Sequence, residues 1–243
     1  MTAKPHIRLV GLTGLLVSFG SEMSEPANRA ALAFRAAVED EDWPEVSETM
    51  MSLVSVYVAV DLVTVPAETI RTRLEDLLAR EDWTAAALPE GRTLWHVPTV
   101  YGTDLAPQLE EAAELAGLDP DAAIRTLSTT RVRVFTLGFA PGQPYLGLLG
   151  EAWDIPRQQG LTKQVPSGAL VAAIRQLIVF TAPTPTGWRH VGQTAFRTFD
   201  QKADPPIALS PGDELVFPAI DRAAFDALAT DAPFGAVDRE AIP

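Results

Sequence analysis

Between residues 90 and 105 the hydrophobic pattern of this chain changes from alternating strand-like and helix-like runs to short β-prone runs set between Gly/Pro turns. A break of this kind separates two modules of different class, because each pattern buries its apolar side against a different kind of layer. The N-terminal part begins with Ile7–Phe19, a Leu/Val-rich run that reads as a strand with a Gly-containing bend. Ser24 and Pro26 then offer a helix start, and Ala27, Ala30, Phe34 and Val38 repeat at helical spacing. After a short segment near Val46, Leu53–Val60 reads as a buried strand. Pro66 opens a second helix on Ile70, Leu74, Leu77 and Leu78, and Leu94–Tyr101 reads as the closing strand. The order β-α-β-β-α-β predicts a ferredoxin-like module with both helices on one sheet face.

Residues 104–128 read as two helices. Leu105, Leu109, Ala112 and Ala116 form the first stripe, with Gly117 as its stop. Asp119-Pro120 caps and restarts the second. Beyond Arg131, Val132–Leu137, Ala169–Ile174, Leu177–Thr181 and Leu215–Pro218 read as strands of a β-barrel or sandwich. The tail from Asp221 is expected to form a short helix with Phe225 and Leu228 and to end in coil.

Composition excludes several functions. The net charge of -13 and the three scattered lysines repel nucleic acid and anionic membranes. The chain has no cysteine and only three distant histidines, His6, His96 and His190. Thiol chemistry is therefore excluded, and no metal ligand set is expected. Hydrophobic residues at 47% are enough to build a sizeable core. The apolar stretch within residues 1–20 is interrupted by Gly11 and Gly14 and lacks a cleavage-type pattern, so a cytoplasmic location without a membrane span is expected.

No Gly-x-x-x-x-Gly-Lys-Ser/Thr loop and no Gly-x-Ser-x-Gly elbow are present. The run Leu137–Gly147 instead stands out for its Gly and Pro content, punctuated by Phe139 and Tyr145. It is either a loop that positions a site or a structural crossover that packs two aromatics. Arg157 either clamps a carboxylate bidentately or makes a rim salt bridge. His190, beside Trp188, is either a general acid/base or a core histidine.

The series Gly138-Phe139-Ala140-Pro141-Gly142, Tyr145-Leu146, Pro156-Arg157, Val165-Pro166-Ser167-Gly168, Gly187-Trp188, Gly192-x-Thr194, Phe199-Asp200 and Pro211-Gly212-Asp213 resembles the family of KipI, allophanate hydrolase subunit 1 and the B subunit of 5-oxoprolinase, the carboxyltransferase domain subdomain C and D. The resemblance implies an α+β fold with a ferredoxin-like domain at 1–100, a cyclophilin-like β-barrel at 101–220, and a short helix and tail at 221–243. It implies one subunit of an ATP-dependent amide or lactam hydrolase, with ATP handled through the assembled complex. The implied partners are an allophanate hydrolase subunit 2 / KipA-like protein and a third subunit in 5-oxoproline cleavage. Two alternatives come with it: KipI-like inhibition of a sensor histidine kinase, and a carboxyltransferase component of a urea carboxylase-like system. The implied site has Arg157, Tyr145 and His190 as catalytic residues, with Phe139, Gln143, Trp188 and Gln193 binding substrate.

The sequence departs from the family pattern at several points. Family Pro-Gly-Phe is here Pro141-Gly142-Gln143, and Gly-Arg-Thr is Gly192-Gln193-Thr194. A His usual in the segment before the Gly-Phe strand is replaced within Thr126-Leu127-Ser128, and Gln-Thr-Gly-Ile-Tyr-Pro becomes Gln176–Thr181. The resemblance thus implies a retained scaffold with an altered pocket.

Overall fold

The computed structural model describes residues 4–228 and 231–243; the start of the N-terminal stretch and part of the expected tail lie outside them. The chain divides into two compact units, one ending at Glu90 and one starting at Gly91.

The first unit contains β1 (His6–Val10), β2 (Gly14–Ser18), α1 (Glu25–Asp40), β3 (Glu48–Met51), β4 (Ser55–Ala59) and α2 (Ala67–Leu78). Ser24 caps α1 through its side chain, and Ala27, Ala30, Phe34 and Val38 are buried, as their spacing predicts. Ile70, Leu74 and Leu77 of α2 are buried likewise. The expected single strand at 7–19 is instead a hairpin, turned by Gly11 at φ +55°. The four strands lie in the order β1-β2-β4-β3, all antiparallel. The edge position beside β2 is therefore held by β1. The Leu94–Tyr101 run, expected there, belongs to the second unit.

The second unit contains β5 (Arg92–His96), β6 (Thr99–Tyr101), α3 (Leu109–Leu115), α4 (Pro120–Thr129), β7 (Val132–Leu137), β8 (Pro144–Gly147), β9 (Thr162–Val165), β10 (Ala169–Ala173), β11 (Gln176–Val179), β12 (Thr184–Thr186), β13 (Arg189–Thr194), β14 (Glu214–Val216), α5 (Arg222–Asp226) and β15 (Asp238–Ile242). Nine strands form one mixed sheet in the order β15-β5-β14-β7-β8-β11-β10-β13-β6, and β9 pairs with β12 separately. The sheet curls round so that the chain running on from β14 reaches the start of β6. Val97 N–H donates to Val216 O at 2.9 Å, Thr99 N–H to Pro218 O at 2.9 Å, and Ile220 N–H to Thr99 O at 3.0 Å. Because β5 pairs with β14 and β6 pairs with β13, the 92–101 run links strands from the two sides of the sheet.

Three further expectations change here. α3 begins at Leu109, because residues 102–106 make turns of their own before it. The Gly/Pro-rich run 137–147 closes on a strand, β8, paired on both sides. The tail does not end as coil, because Asp238–Ile242 pairs antiparallel with β5 and sets Arg239 over the Trp95 ring at 5.4 Å. The main core of this unit includes Val132, Val134, Leu146, Leu170, Leu177, Val191, Leu215 and Phe217, with Leu109, Ala112, Ala123 and Leu127 from α3 and α4.

Candidate functional site

Tyr145, Ile178, Val171 and His190 oppose one another in turn across β8, β11, β10 and β13. Opposed residues of an antiparallel ladder share a face. This face is the one turned away from Leu146, Leu177, Leu170 and Val191 of the main core. Ala169, Val171, Ala173, Ile178, Phe180 and Trp188 pack on it as a separate cluster, with Tyr145 against them.

His190 and Gln193 are three residues apart, and simple alternation would send them to opposite faces. A bulge takes up Val191 as an extra residue, so His190 meets Val171 and Gln193 meets Ala169. Both side chains thereby join the face that carries Tyr145 and Trp188.

Chain segments over this face enclose a pocket of about 300 Å³. Phe139, Gln143, Tyr145, Arg157 and Trp188 line it, with Leu161, Ile178, Phe180 and Pro185 as apolar wall. The structure thus brings together five of the residues singled out by the sequence, while His190 and Gln193 are buried on the same face outside the lining. Phe139 is 76% exposed at the mouth, with φ at 72°. Gly142 shapes the turn that follows: at φ +70° it lies where a Cβ would come within 2.6 Å of Thr198 O. That turn delivers Gln143, 2% exposed, whose Oε1 has no hydrogen-bond partner among the described residues.

Arg157 is exposed and makes no ion pair or hydrogen bond with the described residues. Its guanidinium stands beside Gly187, where an added Cβ would lie 3.7 Å from Arg157 Nε. The pocket therefore combines a cation, free among the described residues, with aromatic and aliphatic walls, a lining suited to a small acid. One guanidinium among such walls does not make the Gly-rich, lysine-bearing cradle of a triphosphate, so the pocket does not fit ATP.

The deeper polar groups are uncharged. Gln193 Nε2 donates to Ser167 O at 2.9 Å and Thr194 O at 3.0 Å, leaving its Oε1 without a partner among the described residues. His190 is 4% exposed, with Nε2 also unpartnered. Burial pushes its pKa below the usual histidine value, against the opposing influence of the Gln193 side chain and the Gly192 backbone. Gln176, which sequence reasoning did not single out, lies between Gly147 and Ala173 on this face, and its buried Nε2 has no partner among the described residues. An unpaired buried polar atom is costly, and Gln143 Oε1 and Gln176 Nε2, both without a partner among the described residues, leave hydrogen-bonding capacity on this face. Among the described residues, no group of three or more His, Asp and Glu side chains could hold a metal ion. No helix among them is long and apolar enough to cross a membrane.

Mixed helix and sheet with a curled sheet is the architecture this chain shares with carboxyltransferase-like domains. The chain belongs to the family described as carboxyltransferase domain, subdomain C and D, which matches residues 5–209. It is 29% identical to the B subunit of 5-oxoprolinase from Bacillus subtilis over 93% of this chain and 98% of that protein. It is 31% identical to the B subunit of 5-oxoprolinase from Escherichia coli O157:H7 over 86% of this chain and 93% of the relative. Among solved structures, TTHA0988 superposes with a TM-score of 0.71 at 26% identity, covering 89% of this chain. This chain spans only 40% of TTHA0988's length. The Kluyveromyces lactis urea amidolyase gives a TM-score of 0.75 at 16% identity, covering 97% of this chain and 16% of that one, which is a likeness of fold.

Proposed function

We propose that this chain is the B-type subunit of an ATP-dependent hydrolase that opens the C–N bond of a small amide or lactam acid. The observation that carries the reading is the pocket lined by Arg157, unpaired among the described residues, together with Tyr145, Trp188 and the buried Gln143. In it, Arg157 holds the substrate carboxylate, Phe139 and Trp188 cover the ring or chain, and Gln143 hydrogen-bonds the amide group. Tyr145 and His190 are the groups on this face able to carry a proton, and Gln193 fixes the backbone around Ser167 and Thr194.

The match over most of both chains to two proteins named as B subunits of 5-oxoprolinase supports a partnership with other subunits. We assign nucleotide handling to that complex, formed with a subunit 2 / KipA-like protein and a third subunit in the cytoplasm. In the same reading, the first unit is a ferredoxin-like arrangement whose fourth strand comes from the N-terminus, and the second is a cyclophilin-like barrel.

The test is co-purification of the tagged chain followed by ATP turnover assays with 5-oxoproline, urea and allophanate. Recovery of a subunit 2-like protein and stimulation by one of these substrates is the expected result. A purified assembly whose ATP turnover ignores all three sinks the reading.

A further inference from the structure

Arg157 has no partner for its guanidinium among the described residues, yet the chain on either side of it is held tightly. The Pro156 carbonyl accepts a hydrogen bond from Arg189 Nη1. Arg189 is itself buried and paired through Nε with Glu111 of α3 at 2.9 Å. On the other side, Gln158 N–H donates to Gly187 O at 2.7 Å, and Gln158 Nε2 donates to Trp188 O at 3.0 Å. Gln158 Oε1 then accepts from Gln108 Nε2 at 2.9 Å. Gln108 is anchored in turn: its N–H donates to His190 O and its Oε1 accepts from His190 N–H, both at 3.0 Å.

We infer that Gln158 and Gln108 are positioning residues that hold Arg157 at the pocket mouth and so set the site's preference for a carboxylate. The inference rests on the proposed role of Arg157 as carboxylate holder. The physical reason is entropic as well as geometric. An exposed arginine on a free loop would have to be ordered by each incoming ligand, whereas a backbone fixed at residues 156 and 158 leaves only its side-chain rotamers to settle. The clasp also ties Arg157 to the segment that carries Trp188, so cation and aromatic wall keep one spacing. Neither Gln108 nor Gln158 lines the pocket, so their effect passes through Arg157.

The experiment compares binding of L-5-oxoproline and its carboxamide, L-5-oxoprolinamide, to the full chain by ligand-observed NMR titration. Wild type, Arg157→Ala, Gln158→Ala and Gln108→Ala are titrated, and circular dichroism checks that each variant is folded. The readout is the affinity ratio of acid to carboxamide, which a loss of general stability does not move. Wild type is expected to favour the acid by about tenfold or more, the scale of one charge-assisted hydrogen bond, and Arg157→Ala to abolish the preference. Gln158→Ala is expected to cut the ratio by about fivefold with carboxamide binding little changed, and Gln108→Ala to act in the same direction. If wild type shows no preference or binds neither probe, the Arg157 reading itself fails. If Arg157→Ala loses the preference while Gln158→Ala and Gln108→Ala keep the wild-type ratio, the clasp inference alone is overturned. Equal weakening of both probes in the glutamine variants also overturns it, because that is the mark of a purely structural role.

Discussion

Asp213 Oδ1 accepts the backbone N–H of Thr93 at 2.9 Å, across 120 residues of chain. Its other oxygen takes the Ser210 N–H at 2.9 Å and the Trp95 indole N–H at 3.3 Å. One buried carboxylate thus fastens β5 to the turn before β14, and it helps explain why the 92–101 run sides with the second unit.

Replacing this carboxylate strands three donors, of which the Trp95 indole N–H is buried and the other two are partly so. Asp213→Ala is expected to lower stability by about 3 kcal/mol in urea unfolding, with Asp213→Asn losing less because it keeps one acceptor oxygen. An alanine variant with an unchanged midpoint would show that the three contacts carry no net weight.

Gly168 occupies φ +77°, and a Cβ there would lie 2.3 Å from Thr194 O. Gly168→Ala is expected to cost about 2 kcal/mol or more, from backbone strain and forced separation of β10 and β13. Gly160→Ala, with nothing within 4 Å of the added carbon, serves as the control and should stay within about 0.5 kcal/mol.

Arg157 is exposed and unpaired among the described residues, so its removal should leave the melting temperature almost unchanged. Binding of 5-oxoproline should fall about tenfold or more in Arg157→Ala. Arg157→Lys should recover only part of it, because an ammonium cannot form the planar two-point contact. Full recovery by lysine in a calorimetric titration would reduce Arg157 to a point charge.

His190 carries a pH signature. Burial holds its folded-state pKa below the unfolded value, so on acidification the unfolded chain binds a proton first. Its contribution to stability is present above the unfolded pKa of about 6.5 and is lost as pH falls from there through the lowered folded pKa, at no more than about 1.4 kcal/mol per pH unit. His190→Gln should therefore lose less stability between pH 7 and pH 5 than wild type does. Parallel stability-against-pH curves for the two proteins would contradict this.

Local sequence carried much of the helical structure. Ser24 with Pro26, and Asp119 with Pro120, mark helix starts through short-range sterics and capping, and the stripes at Phe34 and Ile70 report burial directly. The restricted loops were legible too, because Gly142 and Gly168 advertise backbone shapes that other residues resist. Phe139 and Tyr145 stand out because they punctuate a Gly/Pro-rich run, Arg157 because a guanidinium can clamp a carboxylate, and Gln143 only through the family resemblance.

Strand partnership was not legible, because a β run carries its alternation but not the identity of its neighbour. Only the folded chain placed Thr93 against Asp213, moved Leu94–Tyr101 out of the first sheet, and recruited Asp238–Ile242 to β5. The bulge at Val191 that turns His190 and Gln193 to one face depends on register with β10, and the Gln108–Gln158 bond joins residues 50 positions apart. Sequence determined the local conformations and the chemistry on offer. Tertiary structure decided which of those groups meet, because strand register and long-range hydrogen bonds are settled by packing between distant segments.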